Sequence, residues 1–204
     1  MEWSSINIEE SVDSFTTRGY TLAKNVLSKE VVDLTTQYSL FDELQDFHMD
    51  EFQVIGAHSK YADPLMESLL LKMHPIVEKN TGLSLYPTYS FYRVYRPGHE
   101  LKPHKDRPSC EITATLSLNY DYMGKDYDWK IFIESRGYSM DPGDMIIFRG
   151  PKLKHWRERL DAPEGSWHVQ AFLHFVDANG KFANYKYDER EMIGSLKTNG
   201  GNNG

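Results

Sequence analysis

The sequence has few features of a secreted or membrane-spanning protein. Among its 204 residues there is one cysteine, Cys110, which excludes an intramolecular disulfide framework and favours a reducing compartment. No apolar run approaches the ~20 residues of a membrane span. Residues 1–6 lack the basic start and apolar core of a signal peptide. We therefore expect a soluble, cytoplasmic protein with no membrane partner.

Positive charge is also scarce. The chain has 23 Lys and Arg against 30 Asp and Glu, a formal net charge of −7 and a pI near 5.6. This balance provides no electrostatic reason to expect tight binding to duplex nucleic acid. A chain of this length is sufficient for one domain with a sizeable core.

The most informative pattern is His104-Lys105-Asp106, followed far downstream by His155. On an extended segment, side chains two residues apart point to the same face, so His104 and Asp106 can share one ion. A third ligand from His155 places two imidazoles and one carboxylate on one side of the metal. The remaining positions stay open, which suits non-haem Fe(II) that activates oxygen. Because His-x-Asp alone is unspecific, the prediction depends on its surroundings.

Those surroundings predict β-strands. Residues 89–95 form an aromatic and β-branched run, and residues 96–98 supply a turn before the His-Lys-Asp triplet. Further on, Thr113, Thr115 and Ser117 alternate strictly with apolar residues, so one face of that strand carries hydroxyls. In a barrel, a row of inward hydroxyls implies a wet or ligand-filled interior.

Together these elements resemble the Fe(II)/2-oxoglutarate-dependent dioxygenase superfamily, in its prolyl-hydroxylase-like branch. The resemblance covers residues 88–178 in the family's order. It implies an α+β, mainly β fold: a double-stranded β-helix (jelly-roll) barrel with supporting N-terminal helices. The matching segments are 95–98, 104–106, 115–119, 142–148 leading to His155, and 169–176.

The resemblance implies a single dioxygenase domain over residues 1–194, with helical support in 1–85 and the barrel core in 86–180. One helix is expected to begin after Ser28 as its N-cap, and another to run from Asp63-Pro64 to Gly82. Residues 195–204 are Gly/Asn-rich without apolar content, so we expect a disordered tail.

The resemblance also implies chemistry. His104, Asp106 and His155 would be the metal ligands and catalytic centre, with Fe(II), 2-oxoglutarate as cosubstrate and O2. The reaction would hydroxylate a peptide or protein residue, a prolyl residue included, or a small metabolite, with succinate and CO2 as co-products. Hydroxylation is favoured over halogenation because Asp106 supplies the carboxylate that halogenating relatives replace.

The cosubstrate anchor departs from the family's pattern. Related prolyl hydroxylases grip the distal carboxylate of 2-oxoglutarate with a Lys or Arg near the start of the last strand. Here Trp167 or His168 occupies that place, and residues 161–176 contain no Lys or Arg. Arg157 is the best substitute. It lies two residues past His155 on a strand, so it is expected to point inward as His155 does, and its guanidinium can bind a carboxylate through two hydrogen bonds. The alternative role for Arg157 is a salt bridge at the barrel rim.

Other residues receive lesser roles by the same resemblance. Tyr95 and Ser117 occupy places where the family offers hydroxyls to 2-oxoglutarate, Thr115 is expected to help, and His168 lies beside that site with an ambiguous role. His174 is expected to be a hydrogen-bonded histidine of the interior or rim. Structural or surface roles on helical or loop segments are expected for His48, His58, His74 and His99.

Three alternatives stay open at the level of sequence. A cupin-like jelly roll can bind a metal as an isomerase or ligand-binding module without oxygenase activity, and a metal-free structural barrel is a further rival. The Tyr- and Asp-rich segment 120–129 is either a polar loop with aromatic residues covering the rim or a substrate-contact loop at the barrel mouth.

Overall fold

The structure, a computed structural model, describes residues 8–45 and 53–195. Within these residues, three α-helices alternate with the first two strands and precede the remaining eight. The helices are α1 (Ile8–Arg18), α2 (Lys29–Glu43) and α3 (Pro64–Thr81). The strands are β1 (Tyr20–Ala23), β2 (His58–Tyr61), β3 (Leu85–Tyr95), β4 (Leu101–His104), β5 (Ile112–Asp121), β6 (Ile131–Ile133), β7 (Arg136–Tyr138), β8 (Met145–Phe148), β9 (His155–Arg157) and β10 (Trp167–Asp177).

The strands form two antiparallel sheets. The larger sheet has six strands in the order β1-β8-β5-β10-β3-β2, and the smaller has four in the order β4-β9-β6-β7. The expected mixed fold of helices and sheets is therefore confirmed. The first 85 residues are more than helical support, however, because β1 and β2 form the two edges of the larger sheet.

Alternation along the larger sheet separates an apolar face from a polar one. On β5 and β10 the apolar members, among them Leu116 and Ala171, belong to the core cluster that also includes residues of all three helices. Most of the intervening positions are polar and buried, as with Thr115, Ser117 and Gln170. Because successive side chains of a strand point to opposite faces, the helices cover one face and the polar row lies on the other.

The two longer helices begin differently. The Asp63 side chain accepts hydrogen bonds from the backbone of Leu65 and Met66 at the start of α3, which ends at Gly82 with a left-handed φ of 70°. Ser28 does occupy the N-cap position of α2, but its side chain caps no backbone N–H. The prediction that Ser28 occupies the N-cap position is therefore confirmed, but its side chain forms no capping hydrogen bond.

One histidine was assigned to the wrong kind of element. His58 lies on β2, an unanticipated strand, where it is buried and its Nε2 lies 2.8 Å from Asp42 Oδ2. His48 and residues 196–204 of the expected tail lie outside the described residues. Across the ranges 8–45 and 53–195, no helix has the length and apolar character needed to cross a bilayer.

Candidate metal centre and its surroundings

Two separate segments bring His104, Asp106 and His155 together. His104 ends β4, Asp106 lies two residues beyond that end, and His155 begins β9, which pairs with β4 so that the two histidines are register partners. The Nε2 atoms of His104 and His155 lie 3.6 and 3.4 Å from Asp106 Oδ1. One ligand atom from each residue lies within 4.8 Å of the others, which is close enough to hold one ion.

Backbone carbonyls orient both imidazoles toward that ion position. His104 Nδ1 donates to the carbonyl of Lys102 at 2.9 Å, and His155 Nδ1 donates to that of Leu153 at 3.1 Å. A carbonyl can only accept, so the proton of each neutral ring resides on Nδ1. The Nε2 lone pairs are therefore available to a metal, as in metal sites whose histidines are held by an outer hydrogen bond.

The Asp106 carboxylate is fixed from its other side. Thr113 Oγ1 donates to Asp106 Oδ2 at 2.7 Å, which leaves Oδ1 facing the histidines. Burial by itself raises the pKa of the Asp106 carboxyl, but the facing imidazoles of His104 and His155, which attract its ionised form when they carry a proton, hold that pKa well below its usual range. The group is consequently ionised, as a metal ligand must be.

A cavity opens beside the three ligands. It has a volume of about 520 Å³, and all three metal-ligand candidates line it. Its wall includes four aromatic side chains, Tyr61, Tyr89, Phe91 and Phe172, and three basic side chains, Arg93, Lys105 and Arg107. A pocket of this size with one cluster of polar groups suits a small molecule or a single inserted side chain.

Arg157 points into the interior from the same strand as His155. It is 1% exposed, so the rim salt bridge considered for it from the sequence is not its setting. Its Nε donates to Gln170 Oε1 at 3.0 Å, its Nη1 donates to the Trp129 carbonyl at 2.5 Å, and its guanidinium lies 4.5 Å from the Trp129 ring centroid. Burial lowers the pKa of Arg157.

Around Arg157 lies a group of buried polar atoms without a hydrogen-bond partner in the described part of the chain. They come from β5, β9 and β10, and Ser117 and Gln170 are register partners. The atoms are Thr115 Oγ1, Ser117 Oγ, Arg157 Nη2, His168 Nε2 and Gln170 Nε2. Leaving such groups unpaired is costly, which indicates a polar ligand. We call these five residues the interior polar group.

The donor set fits the two groups that the resemblance implies. Two imidazoles and one carboxylate with open positions suit Fe(II). The interior polar group offers a guanidinium, an amide and two hydroxyls, all of which can donate hydrogen bonds to a carboxylate. It includes four of the five residues considered for 2-oxoglutarate from the sequence, and Gln170 besides.

The fifth of these candidates, Tyr95, lies next to the interior polar group. It is fully buried, accepts a hydrogen bond from Arg93 Nη1 at 2.8 Å, and packs edge-on against Trp129 and His168. His168 Nδ1 lies 2.8 Å from Tyr122 Oη. Burial, and then the charge of Arg157, hold the pKa of His168 well below its usual range, so His168 is neutral.

Of the two roles considered for the segment 120–129, its contacts match the covering role of its aromatic residues. Tyr122 and Trp129 are buried and contact His168 and Arg157, so this segment covers the interior polar group. None of its residues lines the cavity beside the metal ligands.

Sequence reasoning assigned no role at the site to Gln170 or Arg93, whereas it had placed Thr113 on a polar strand face and expected His174 to be a hydrogen-bonded histidine of the interior or rim. Thr113 bonds Asp106, and His174 Nδ1 lies 3.2 Å from Thr113 Oγ1 with its ring on the cavity wall. Gln170 bonds Arg157, and Arg93 lines the cavity. Arg93 and Gln170 each lie two residues along a strand from a candidate, Tyr95 and His168 respectively, so the period of two was the available signal.

Comparison with solved structures finds related folds. The chain is similar to a prolyl-4-hydroxylase from Pseudomonas putida, with a TM-score of 0.65, 15% identity, and coverage of 82% of this chain and 98% of that one. It is also similar to HygX from Streptomyces hygroscopicus, solved with nickel and 2-oxoglutarate, with a TM-score of 0.62, 13% identity and coverage of 83% and 87%. This chain has the fold of the Fe(II)/2-oxoglutarate-dependent oxygenases.

A third similar structure widens the range of chemistry on this fold. SnoN, a non-heme alpha ketoglutarate dependent epimerase from nogalamycin biosynthesis, gives a TM-score of 0.67 with 10% identity and coverage of 84% of this chain and 83% of that one. No protein-family model matches the sequence, and no curated protein matches it. The resemblance inferred from the sequence is thus confirmed in the fold.

Proposed function

We propose that this chain is an Fe(II)- and 2-oxoglutarate-dependent dioxygenase that hydroxylates a C–H bond of its substrate. One observation carries the proposal. His104, Asp106 and His155 can hold one ion on the wall of a cavity. Arg157 is the next inward residue on the strand that begins with His155, and it belongs to the interior polar group.

The metal ligands are His104, Asp106 and His155. The carbonyls of Lys102 and Leu153 hold the two imidazoles in the Nδ1–H tautomer, and Thr113 fixes the Asp106 carboxylate. These bonds set the ligand directions before a metal arrives, so little ordering is required on binding. Bound Fe(II), together with 2-oxoglutarate and O2, supplies the oxidation, with succinate and CO2 as co-products.

The interior polar group would receive the distal carboxylate of 2-oxoglutarate. Arg157 supplies the charge, and its Nη2 is the guanidinium nitrogen without a partner among the described residues. Gln170 Nε2 and Ser117 Oγ lie on the adjacent strands β10 and β5. When Tyr122 donates to Nδ1 of His168, the Nε2–H of this neutral ring becomes another donor.

The rest of the cavity would position the substrate and exclude water. Tyr89, Phe91 and Phe172 form an apolar wall beside the ligands, and such a wall limits competing reactions at an oxidising centre. The substrate is a residue of a peptide or protein, such as a prolyl residue, or a small metabolite. The fold accommodates this range, since the similar structures include a prolyl-4-hydroxylase and an epimerase of nogalamycin biosynthesis.

An anaerobic titration tests the proposal. The full chain receives Fe(II) and then 2-oxoglutarate, and a visible metal-to-ligand charge-transfer band is the expected result. Metal binding without the band would instead support the cupin-like module, and no metal binding would support the structural barrel. Asp106→Ala serves as the matched negative control, and substrate-stimulated succinate release then identifies substrates from a panel of peptides and metabolites.

A further inference from the structure

A buried carboxylate from the segment that follows β10 holds part of the cavity wall. Asp188 is 1% exposed, and its Oδ2 accepts hydrogen bonds from Tyr61 Oη at 2.6 Å and from Arg107 Nη2 at 2.9 Å. Tyr61 and Arg107 line the cavity beside the metal ligands, whereas Asp188 does not. Asp188 therefore fixes two side chains of the wall without facing the cavity itself.

The same bonds fix a third side chain. The Arg107 guanidinium lies 4.7 Å from the centroid of the Tyr89 ring, and that centroid lies 4.9 Å from the centroid of the Tyr61 ring. Burial, and then the bond to Asp188, raise the pKa of the Tyr61 hydroxyl, so it remains a neutral donor. Tyr61 belongs to β2 and Tyr89 to β3. Arg107 directly follows the metal-ligand candidate Asp106, so the contacts join three separate parts of the chain.

Arg190 ties the backbone next to Asp188 to α3 and β3. Its Nη1 lies 3.0 Å from Glu67 Oε2 on α3, and both side chains are almost fully buried. Its Nη2 donates to the Thr88 carbonyl of β3 at 2.8 Å, and its Nε donates to the Tyr187 carbonyl at 2.9 Å. A buried ion pair is stable when further hydrogen bonds satisfy its partners, as they do here. Asp188 is consequently presented from a fixed backbone.

The backbone at Asp188 has an unusual conformation. Tyr187, Asp188 and Glu189 have φ angles of 59°, 54° and 65°, in the left-handed region that residues other than glycine rarely adopt. Three such residues in succession persist only where the surrounding contacts enforce them, and this kind of strain is often found at functional sites. The bonds of Asp188 and Arg190 supply that enforcement.

We propose that Asp188 is a positioning residue for the substrate. It holds Tyr61 and Arg107 directly and Tyr89 through Arg107, and it thereby fixes one wall of the cavity relative to the metal ligands. This inference rests on the proposed oxygenase function, in which that wall determines how the substrate lies beside the metal. Productive orientation requires wall side chains that are themselves held by a further layer of contacts.

Cys110 offers a reporter that requires neither metal nor substrate. Its Sγ lies 3.0 Å from Tyr89 Oη, it lines the cavity, and it is the one cysteine of the sequence. The residue is 3% exposed, and burial raises the pKa of its thiol to about 12. A thiol reagent therefore reacts slowly until the wall opens, and the rate of labelling by iodoacetamide measures that opening.

Loss of the Asp188 bonds should speed the labelling of Cys110. In the metal-free full chain, Asp188→Ala is expected to raise the rate about 10- to 30-fold, a modest effect for a charge-assisted bond because the Arg107 side chain is 47% exposed. Asp188→Asn keeps an acceptor oxygen and should raise the rate only about 3- to 10-fold. Glu191→Gln changes an exposed carboxylate of the same segment and is the control. Wild-type rates in both Asp188 variants would overturn the proposal.

Urea separates local opening of the wall from general destabilisation. Labelling through global unfolding would rise more than about fivefold in 1 M urea, because unfolding exposes much surface. Labelling of Asp188→Ala should instead change less than about twofold, as for a local opening. A steep dependence on urea would show a merely structural role and overturn the proposal. If Asp188→Ala does not fold, Asp188→Asn and Tyr61→Phe decide by the same criteria.

Kinetics connect the wall to the substrate. With a substrate identified by succinate release, Asp188→Asn should raise the KM for that substrate about 3- to 10-fold and change kcat less than about twofold, because the wall contacts the substrate away from the reacting atoms. The 2-oxoglutarate requirement should stay unchanged. An unchanged KM for the substrate would overturn the positioning role.

Two results separate this inference from the oxygenase proposal. Faster labelling in the Asp188 variants without the anaerobic charge-transfer band would overturn the oxygenase function and leave Asp188 as the residue that holds the cavity wall. The band together with unchanged labelling in these variants would overturn the role of Asp188 alone.

Discussion

Arg157 Nε donates to Gln170 Oε1 at 3.0 Å, and this bond joins the two sheets. Arg157 belongs to β9 of the smaller sheet, which begins with the metal-ligand candidate His155, and Gln170 belongs to β10 at the centre of the larger one. The bond therefore ties the segment that carries a metal ligand to the strand that carries His168. We expect the affinity for the metal and the affinity for 2-oxoglutarate to depend on the same pair of strands. Substitution of a metal ligand or of Arg157 should nevertheless change only the corresponding affinity.

Asp106→Ala should abolish Fe(II) binding and turnover, with a fall in metal affinity of more than ~100-fold, because a charged ligand is lost. The fold should persist, since apolar burial and not one ion stabilises the sheets. Calorimetric metal titration, succinate release and circular dichroism measure the three quantities. Asp126→Ala removes an exposed aspartate and is the control. Near-normal succinate production by Asp106→Ala would refute the metal site.

Arg157→Ala should raise the 2-oxoglutarate requirement roughly 30- to 1000-fold, because a charge-assisted bidentate contact in a desolvated site is worth about 2–4 kcal/mol. Metal affinity, measured separately with Co(II), should change little. Arg157→Lys should recover only part, since an ammonium lacks the planar fork. Arg159→Ala, at an exposed position of the same segment, is the control. A large effect from His168→Ala or Arg159→Ala without one from Arg157→Ala would show that Arg157 is not the anchor.

Gly150→Ala should weaken metal binding although residue 150 is not a ligand. A Cβ at Gly150 would lie 2.4 Å from Asp106 Oδ2 and 2.5 Å from the Cys110 carbonyl, so the carboxylate must move. We expect a loss of about 10- to 100-fold, as for other contacts that orient ligands. Gly137→Ala is the control, since its Cβ meets the ends of the Phe132 and Lys130 side chains. Unchanged Co(II) affinity in Gly150→Ala would contradict this expectation.

The metal-free protein should lose stability as the pH falls from 6.5 toward 4. Burial lowers the pKa of His174 to about 4, so between these values the unfolded chain binds a proton that the folded chain does not. This difference amounts to roughly 3 kcal/mol at pH 4. His168 acts in the same direction. His104 acts oppositely: burial by itself lowers its pKa, but the adjacent Asp106 carboxylate favours the protonated ring and raises the pKa above its usual value.

Urea unfolding of the wild type and of His174→Asn at pH 7.5 and pH 4.5 measures the effect of His174. The wild type should lose more of its free energy of unfolding between the two pH values than the variant does. The same loss in both proteins would show that His174 does not contribute to this acid sensitivity.

Local sequence patterns were sufficient to predict several secondary-structure elements and the spacing of two candidate metal ligands. The alternation of Thr113, Thr115 and Ser117 predicts a strand with one polar face, and the structure has it on β5. The two-residue spacing of His104 and Asp106 places both on one side of the chain, since that spacing is a property of an extended backbone. The end of α3 at Gly82 follows from the left-handed conformation that glycine adopts without strain.

Distances between segments were decided only by the tertiary structure. The approach of His155 to Asp106, the bond between Arg157 and Gln170, and the cavity position of Ser59 depend on strand register and on the separation of two sheets. Packing between residues that are far apart in the chain sets these distances. His58-Ser59-Lys60-Tyr61 shows the limit: this polar segment carries no strand pattern, and it is extended because β3 offers it a pairing edge.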